Sequence, residues 1–168
     1  LLENLLKEET GNSGIRIYNI GYAGKSASFM LDKLQYVFGG AYANVDAVGI
    51  VFGINDSLLG TDVDDMLAIY KDAIEKIIKY IYSIGKQAFL VTPQAVVRNQ
   101  ERMVLIENTL KELAVKYGLQ IMDMSNYDRN VIKHSKLSGS VITADKLLWK
   151  DDGHKFEAGF LFSQIINR

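Results

Sequence analysis

The sequence contains no cysteine, a single proline and no run of basic residues. Without cysteine, disulfide bonds, thiolate catalysis and cysteine-ligated metal sites are excluded. A net charge of −1 and an isoelectric point near 6.2 provide no general attraction to nucleic acids or anionic membranes. No apolar stretch reaches the roughly 20 residues that a membrane-spanning helix needs. The 168 residues, 48% hydrophobic and 23% charged, are therefore expected to form one globular domain.

Strand-like apolar runs alternate with helical patterns along the chain. The predicted strands are Ile15–Ile20, Asp46–Phe52, Gln87–Thr92 and Leu119–Met124. Helices are predicted near residues 1–9, 28–38, 63–81, 99–117 and 155–167. This alternation indicates parallel βαβ units. We predict one three-layer α/β/α domain over residues 1–168, with a flavodoxin-like parallel sheet whose functional residues follow the carboxyl ends of its strands.

Two glycine-containing loops follow predicted strands and so fall at that edge of the sheet. In the first, Gly24 either satisfies a left-handed backbone angle or directs its N–H group at an oxyanion. In the second, Gly53 precedes Asn55 and Asp56, which are also common turn residues. The functional interpretation makes the Asn55 amide an oxyanion donor, while Asp56 and Gly53 support the loop.

Asp151 lies three residues before His154 at the start of the last predicted helix. An aspartate can cap that helix, and His154 is then an ordinary first-turn residue. The alternative makes His154 a general base whose imidazole is oriented by Asp151. The other histidine, His134, lies between lysines and is interpreted as a solvated loop residue. No metal-ligand spacing such as HExxH is present, so neither a metal nor an organic cofactor is predicted.

Three sequence blocks together resemble the SGNH, or GDSL, hydrolase superfamily. Asn19–Ser26 is similar to the second block, Val51–Asp56 to the third block, GxND, and Asp151–His154 to the fifth block, DxxH. The family often has a proline after the histidine, whereas Lys155 stands here. The resemblance implies a serine esterase or lipase-like enzyme, with Gly24 and Asn55 in the oxyanion hole and His154 and Asp151 in the triad. It also implies small O-acyl ester substrates, such as acetyl groups on carbohydrate.

The family's first block, a strand ending in Gly-Asp-Ser, is not found. Residues 1–9 resemble the second half of an amphipathic helix, which in the family follows that strand. Ser13 follows a charged helix end, and Ser26 and Ser57 follow oxyanion elements, so none is assigned as the nucleophile. We expect an N-terminally incomplete domain, with the central strand and its serine on an upstream segment. That segment is missing from this chain, cleaved yet retained, or supplied by another molecule, and the chain alone is expected to be inactive.

Two other hypotheses remain open. The chain is alternatively a non-catalytic binding or structural domain that retains this fold. A flavodoxin-like phosphate binder fits the fold pattern but lacks a glycine-rich loop of recognised spacing. Residues 125–150 are expected to be irregular, to shape the substrate pocket and to bring Trp149 near the histidine loop.

Overall fold

A computed structural model describes residues 1–95, 99–134 and 151–166 of the chain, without the side chains of 131–134 and 151–153. Its helices are α1 (Leu2–Thr10), α2 (Ala27–Leu31), α3 (Leu34–Gly39), α4 (Val63–Ser83), α5 (Gln100–Tyr117), α6 (Met124–His134) and α7 (Asp151–Ile166). Its strands are β1 (Ala47–Ile50), β2 (Gln87–Val91) and β3 (Gln120–Met122), and a 3₁₀ turn spans Asp56–Leu58. The predicted α/β class is therefore confirmed. None of the described helices is both long enough and apolar enough to cross a bilayer.

The described strands form a parallel sheet in the order β1-β2-β3. Ile50 is in register with Leu90, and Val91 is in register with Met122. Successive side chains of a strand face opposite sides of a sheet. Leu90 accordingly joins the core formed with α2 to α5, while Val91 joins a second core that includes Phe160 of α7. Helices thus cover both faces, and the carboxyl ends of all three strands lie at one edge.

Helix α4 shows how local sequence signals define an element. The Asp62 carboxylate accepts a hydrogen bond from the Asp65 N–H at 2.9 Å and caps the helix. In the apolar stripe that follows, Tyr70, Ile74 and Ile78 are fully buried. Gly85, with a φ of 72°, then reverses the chain toward β2. The predicted helix is confirmed, and it places Tyr70 beneath the loop that follows β1.

The predicted strand Ile15–Ile20 is wrong, since no strand is present at these residues. The Ile17 N–H donates to the Glu3 carboxylate at 2.8 Å, and Arg16 donates to the carbonyl of Ser13 at 2.8 Å. The Ile17 N–H, which a strand would pair with a neighbouring strand, is bonded instead to a side chain of α1. In the described part of the chain, no strand lies alongside this segment to complete a ladder. High β-propensity alone does not make a strand.

Two further predictions require correction. The single helix expected over 28–38 is interrupted, because the N–H of Lys33 bonds to the Met30 carbonyl at 2.9 Å and turns the chain between α2 and α3. The irregular stretch expected over 125–150 begins with α6, whose first turn is capped by Asp123, which accepts the Asn126 N–H. His134 thus ends a helix rather than lying in a loop. Trp149 lies outside the described residues.

Candidate active site

The loop after β1 is built on a buried floor. The hydroxyl of the fully buried Tyr70 donates to the Phe52 carbonyl at 2.9 Å. Burial raises the pKa of Tyr70 well above its usual value, so this hydroxyl remains a donor. Farther along, the Ser57 hydroxyl donates to the Ile54 carbonyl at 2.7 Å and closes the 3₁₀ turn. The short stretch that carries Asn55 is therefore anchored to α4 at its start and closed by a local bond at its end.

Gly53 is required at the start of this loop for two separate reasons. Its φ of 147° lies in a region that side-chain-bearing residues rarely adopt. A Cβ atom at this position would also lie 2.8 Å from both Ile106 Cγ2 and Pro93 Cγ. The missing side chain lets the backbone pass between α5 and the end of β2. Close packing here determines where Asn55 emerges.

Asp56 ties this loop to the helix that follows the other glycine loop. Its carboxylate is buried, with 1% of the residue exposed, and Oδ1 accepts the Ala27 N–H at 2.9 Å. Ala27 is the first residue of α2, whose own cap residue, Ser26, makes no side-chain cap bond. Burial raises the pKa of Asp56, and the backbone N–H groups around it, Ala27 first, partly oppose that rise. Asp56 therefore replaces the missing cap and joins two chain segments.

Asn55 makes the second connection between the same two segments. Its Nδ2 donates to the Lys25 carbonyl at 3.3 Å. Lys25 follows Gly24, which has a φ of 71° and open space where a Cβ would stand. Among the described groups, none accepts a hydrogen bond from the Gly24 N–H. An asparagine amide has two N–H donors, so one remains after the bond to Lys25. The two groups named as oxyanion donors are thus brought into one neighbourhood.

Arg102 is a supporting residue that sequence reasoning missed. From α5, its Nη1 donates to the carbonyls of Ser57 and Leu59, both at 3.1 Å. These carbonyls lie at the end of the 3₁₀ turn, where no helical partner is available to them. No local pattern marks Arg102, because its partners lie more than forty residues away in sequence.

His154 lies in the first turn of α7 with 55% of its side chain exposed. Its Nδ1 is 3.3 Å from Oε2 of Glu157, one turn later in the same helix. The Asp151 side chain is outside the described residues, so its contact with His154 stays a prediction. No described hydrogen bond joins His154 to Asn55 or to the Gly24 loop. The described contacts bring Asn55 against the Gly24 loop, and the oxyanion roles of Gly24 and Asn55, like the roles of Asp151 and His154, stay predictions.

The three serines considered as nucleophiles have structural positions. Ser57 is buried and its hydroxyl donates to the Ile54 carbonyl, while Ser26 immediately precedes α2. Ser13 is exposed in the turn after α1. Within residues that the structure describes, no group of three or more acidic or histidine side chains is arranged to hold a metal ion.

Comparison of the fold with solved structures gives three informative neighbours. A catalytic mutant of Axe2, an acetylxylan esterase from Geobacillus stearothermophilus, superposes with a TM-score of 0.80 at 20% identity, covering 98% of this chain and 78% of that chain. The acetyl xylan esterase AlAXEase gives 0.79 at 18% identity, covering 98% and 88%. A lipase/acylhydrolase from Enterococcus faecalis gives 0.73 at 20% identity, covering 98% and 84%. No protein-family model and no curated protein sequence matches the chain. At these identities the likeness establishes the α/β fold that these esterases and the acylhydrolase share with this protein.

Proposed function

We propose that this protein is a serine hydrolase of the SGNH type that cleaves small O-acyl esters, including acetyl esters of carbohydrate. The observation that carries the proposal is the hydrogen-bonded junction of Asn55 with the Gly24 loop, at the carboxyl end of β1. Esterases and an acylhydrolase with the same fold support it. The proposed unit is one domain over residues 1–168, completed by one further strand.

The oxyanion hole would consist of the Gly24 N–H and the second N–H of Asn55 Nδ2. Both belong to a junction anchored by the buried bond from the Ala27 N–H to Asp56, so little reorganisation is needed when negative charge develops on the ester oxygen. The Asn55 bond to the Lys25 carbonyl fixes the plane of the amide and directs its other hydrogen. This division of the two amide hydrogens gives Asn55 a positioning bond and a catalytic bond at once.

The nucleophile would come from a strand that pairs with the free edge of β1. Within the described sheet, β1 has a neighbour on the β2 side alone. Val51, directly after β1, is 52% exposed, although strands of parallel sheets are normally covered by neighbours and helices. A parallel strand at this edge would end beside the Asn55 loop. A serine at its end would face the proposed oxyanion donors.

In the proposed reaction, the serine hydroxyl attacks the ester carbonyl while His154 accepts its proton. Asp151 would orient the imidazole and stabilise the imidazolium. His154 then protonates the leaving alcohol, and water releases the acid from the acyl-enzyme. No metal or organic cofactor takes part.

Hydrolysis of p-nitrophenyl acetate tests the assignment, using a protein that contains this chain together with the serine-bearing strand. His154→Ala should lower kcat/KM at least about 100-fold, and Asn55→Ala about 100-fold or more. Glu157→Gln is the matched control, because Glu157 contacts His154 in the structure but has no role in the proposed triad. Most of the activity surviving in His154→Ala would contradict the assignment.

The alternative is a binding or structural domain of the same fold. The exposed His154, paired with a glutamate of its own helix, is an arrangement also found on ordinary helix surfaces. A fluorophosphonate probe distinguishes the two functions, because it reacts covalently with an activated serine. Mass spectrometry should show one adduct, on a serine outside Ser13, Ser26 and Ser57. An unmodified protein, together with no measurable ester hydrolysis, would favour the binding domain.

A further inference from the structure

A cavity of about 570 Å³ lies beside the Gly24 loop and is lined by none of the proposed catalytic residues that the structure describes. Its lining includes three tyrosines, Tyr22, Tyr36 and Tyr42, and two amide side chains, Asn19 and Gln35. We call this cavity the tyrosine groove. No charged side chain is among the lining residues in the described part of the chain. Its size falls within the range of about 300–1,000 Å³ that is usual for small-molecule sites.

Two of the three tyrosines that line the tyrosine groove are exposed. Tyr36 is 80% exposed and Tyr22 is 43% exposed. Tyr18, 55% exposed, packs edge-on against Tyr42 with ring centroids 5.3 Å apart and extends the aromatic surface. Tyr22 is held in the same way against Phe29, also at 5.3 Å. Clustered exposed aromatic rings mark binding surfaces, since isolated exposure is normal but a contiguous patch is not.

We propose that the tyrosine groove binds a neutral oligosaccharide chain. A tyrosine offers a flat apolar face to the C–H groups of a sugar ring, and its two side-chain torsions make ordering inexpensive. Amide side chains can donate to and accept from sugar hydroxyl groups, as Asn19 and Gln35 would do here. The uncharged lining favours a neutral sugar over a phosphorylated or acidic one, because it offers no cation to offset the desolvation of a charged group.

The tyrosine groove lies beside the proposed oxyanion donors, so its role in holding the substrate rests on the proposed function. Tyr22 precedes Gly24 by two residues, and its carbonyl accepts the Lys25 N–H at 3.2 Å. The Lys25 carbonyl in turn accepts from Asn55. A sugar ring resting on Tyr22 would therefore be adjacent to the loop that carries the proposed oxyanion donors. The groove would hold the glycan whose acyl group is removed at Gly24 and Asn55.

Isothermal titration of the same protein, this chain together with the serine-bearing strand, with xylohexaose, a neutral glycan without ester groups, tests the groove independently of catalysis. Tyr36→Ala and Tyr22→Ala should each weaken binding about tenfold. Tyr82→Ala is the matched control, because Tyr82 is 44% exposed on α4 and does not line the groove. That variant should bind within about twofold of the parent protein. Thermal melts of all variants should coincide within a few degrees, which separates lost binding from lost folding.

Three results would overturn the proposal: no binding of xylohexaose at about 10 mM, equal affinity in Tyr36→Ala, or tighter binding of trigalacturonate than of xylohexaose. Sedimentation velocity adds a fourth, since a dimer that Tyr36→Ala dissociates would make the groove a contact between two copies. The outcome is separable from that of the esterase proposal. Glycan binding with p-nitrophenyl acetate hydrolysis unaffected by His154→Ala would retain the groove and reject the triad.

Discussion

The two segments that carry the candidate oxyanion residues are held in contrasting ways. The loop after β1 is tied to distant parts of the chain, through Tyr70, Ala27 and Arg102. Residues 11–26 are held mostly by hydrogen bonds between residues close in sequence, such as the one that the Gly14 N–H donates to Asn12 Oδ1 at 2.9 Å. The loop after β1 carries buried groups, whereas residues 11–26 are largely exposed.

This difference indicates which segment positions the other. The exposed segment meets the buried loop at its end, where the Lys25 carbonyl and Ala27 N–H bond to Asn55 and Asp56. Because the buried loop is fixed by independent contacts, it acts as the template for the Gly24 loop. Damage to the buried loop should therefore disturb both oxyanion candidates, while damage to the exposed segment should remain local.

Replacing Gly53 with alanine should produce the largest loss of stability. The substitution combines an unfavourable backbone angle with overlap against Ile106 and Pro93, and we expect a loss of about 3–5 kcal/mol. Gly24→Ala is the matched control in the exposed segment, since Gly24 also has a positive φ but open space around it. It should lose about 1–2 kcal/mol, from backbone strain alone. Urea denaturation measures both, and equal losses would contradict the contrast between the loops.

Asp56 should show the next largest effect, and its two variants separate hydrogen bonding from charge. Asp56→Ala removes the acceptor of the Ala27 N–H and should lose about 1–3 kcal/mol. Asp56→Asn keeps an acceptor oxygen and removes a buried charge, so it should lose much less. If both variants were equally destabilised, the negative charge rather than the hydrogen bond would hold the junction.

The pH dependence of stability in Asp56→Asn tests the contribution of the same carboxylate in a second way. Burial raises the folded-state pKa of Asp56 above its usual 3.8. Between pH 3.8 and the folded-state pKa, the folded protein therefore binds a proton that the unfolded chain has largely lost. Stability contributed by this group therefore falls as the pH rises from 3.8 through the folded-state pKa. Relative to the parent protein, Asp56→Asn should gain stability over that interval. Urea midpoints that run parallel at all pH values would rule out this contribution.

The elements with a strong periodic pattern could be predicted from the sequence. The α4 stripe and the apolar runs of β1, β2 and β3 carry their own burial signal, and each is present. Ile15–Ile20 has an equally good strand composition but needs a neighbouring strand, which local sequence does not report. The α6 helix was missed because a polar composition hid the Asp123 cap, which could have been recognised just after a strand.

The candidate site was predictable in its residue types but not in its supports. The spacing of Gly53, Asn55 and Asp56 after an apolar run pointed to a loop at the edge of the sheet. Their connection to Lys25 and Ala27 depends on bonds that span about thirty residues, and no sequence period encodes such bonds. The catalytic roles of Gly24, Asn55, Asp151 and His154 remain predictions.

Arg102 offers the finest test of the contrast, with a small expected effect. Arg102→Ala removes two hydrogen bonds to the end of the 3₁₀ turn, and we expect a loss of about 1 kcal/mol together with altered Asn55 side-chain amide resonances. Arg16→Ala is the matched control, because Arg16 also donates to two carbonyls, those of Ser13 and Ile15, but both are close in sequence and exposed. It should lose less than about 0.5 kcal/mol and leave the Asn55 resonances unchanged. Urea denaturation and NMR spectra of both variants compare the two arginines directly. Should Arg16→Ala shift the Asn55 resonances as much as Arg102→Ala, the exposed segment would help to position the Asn55 amide, and the buried loop would not be the template for the Gly24 loop.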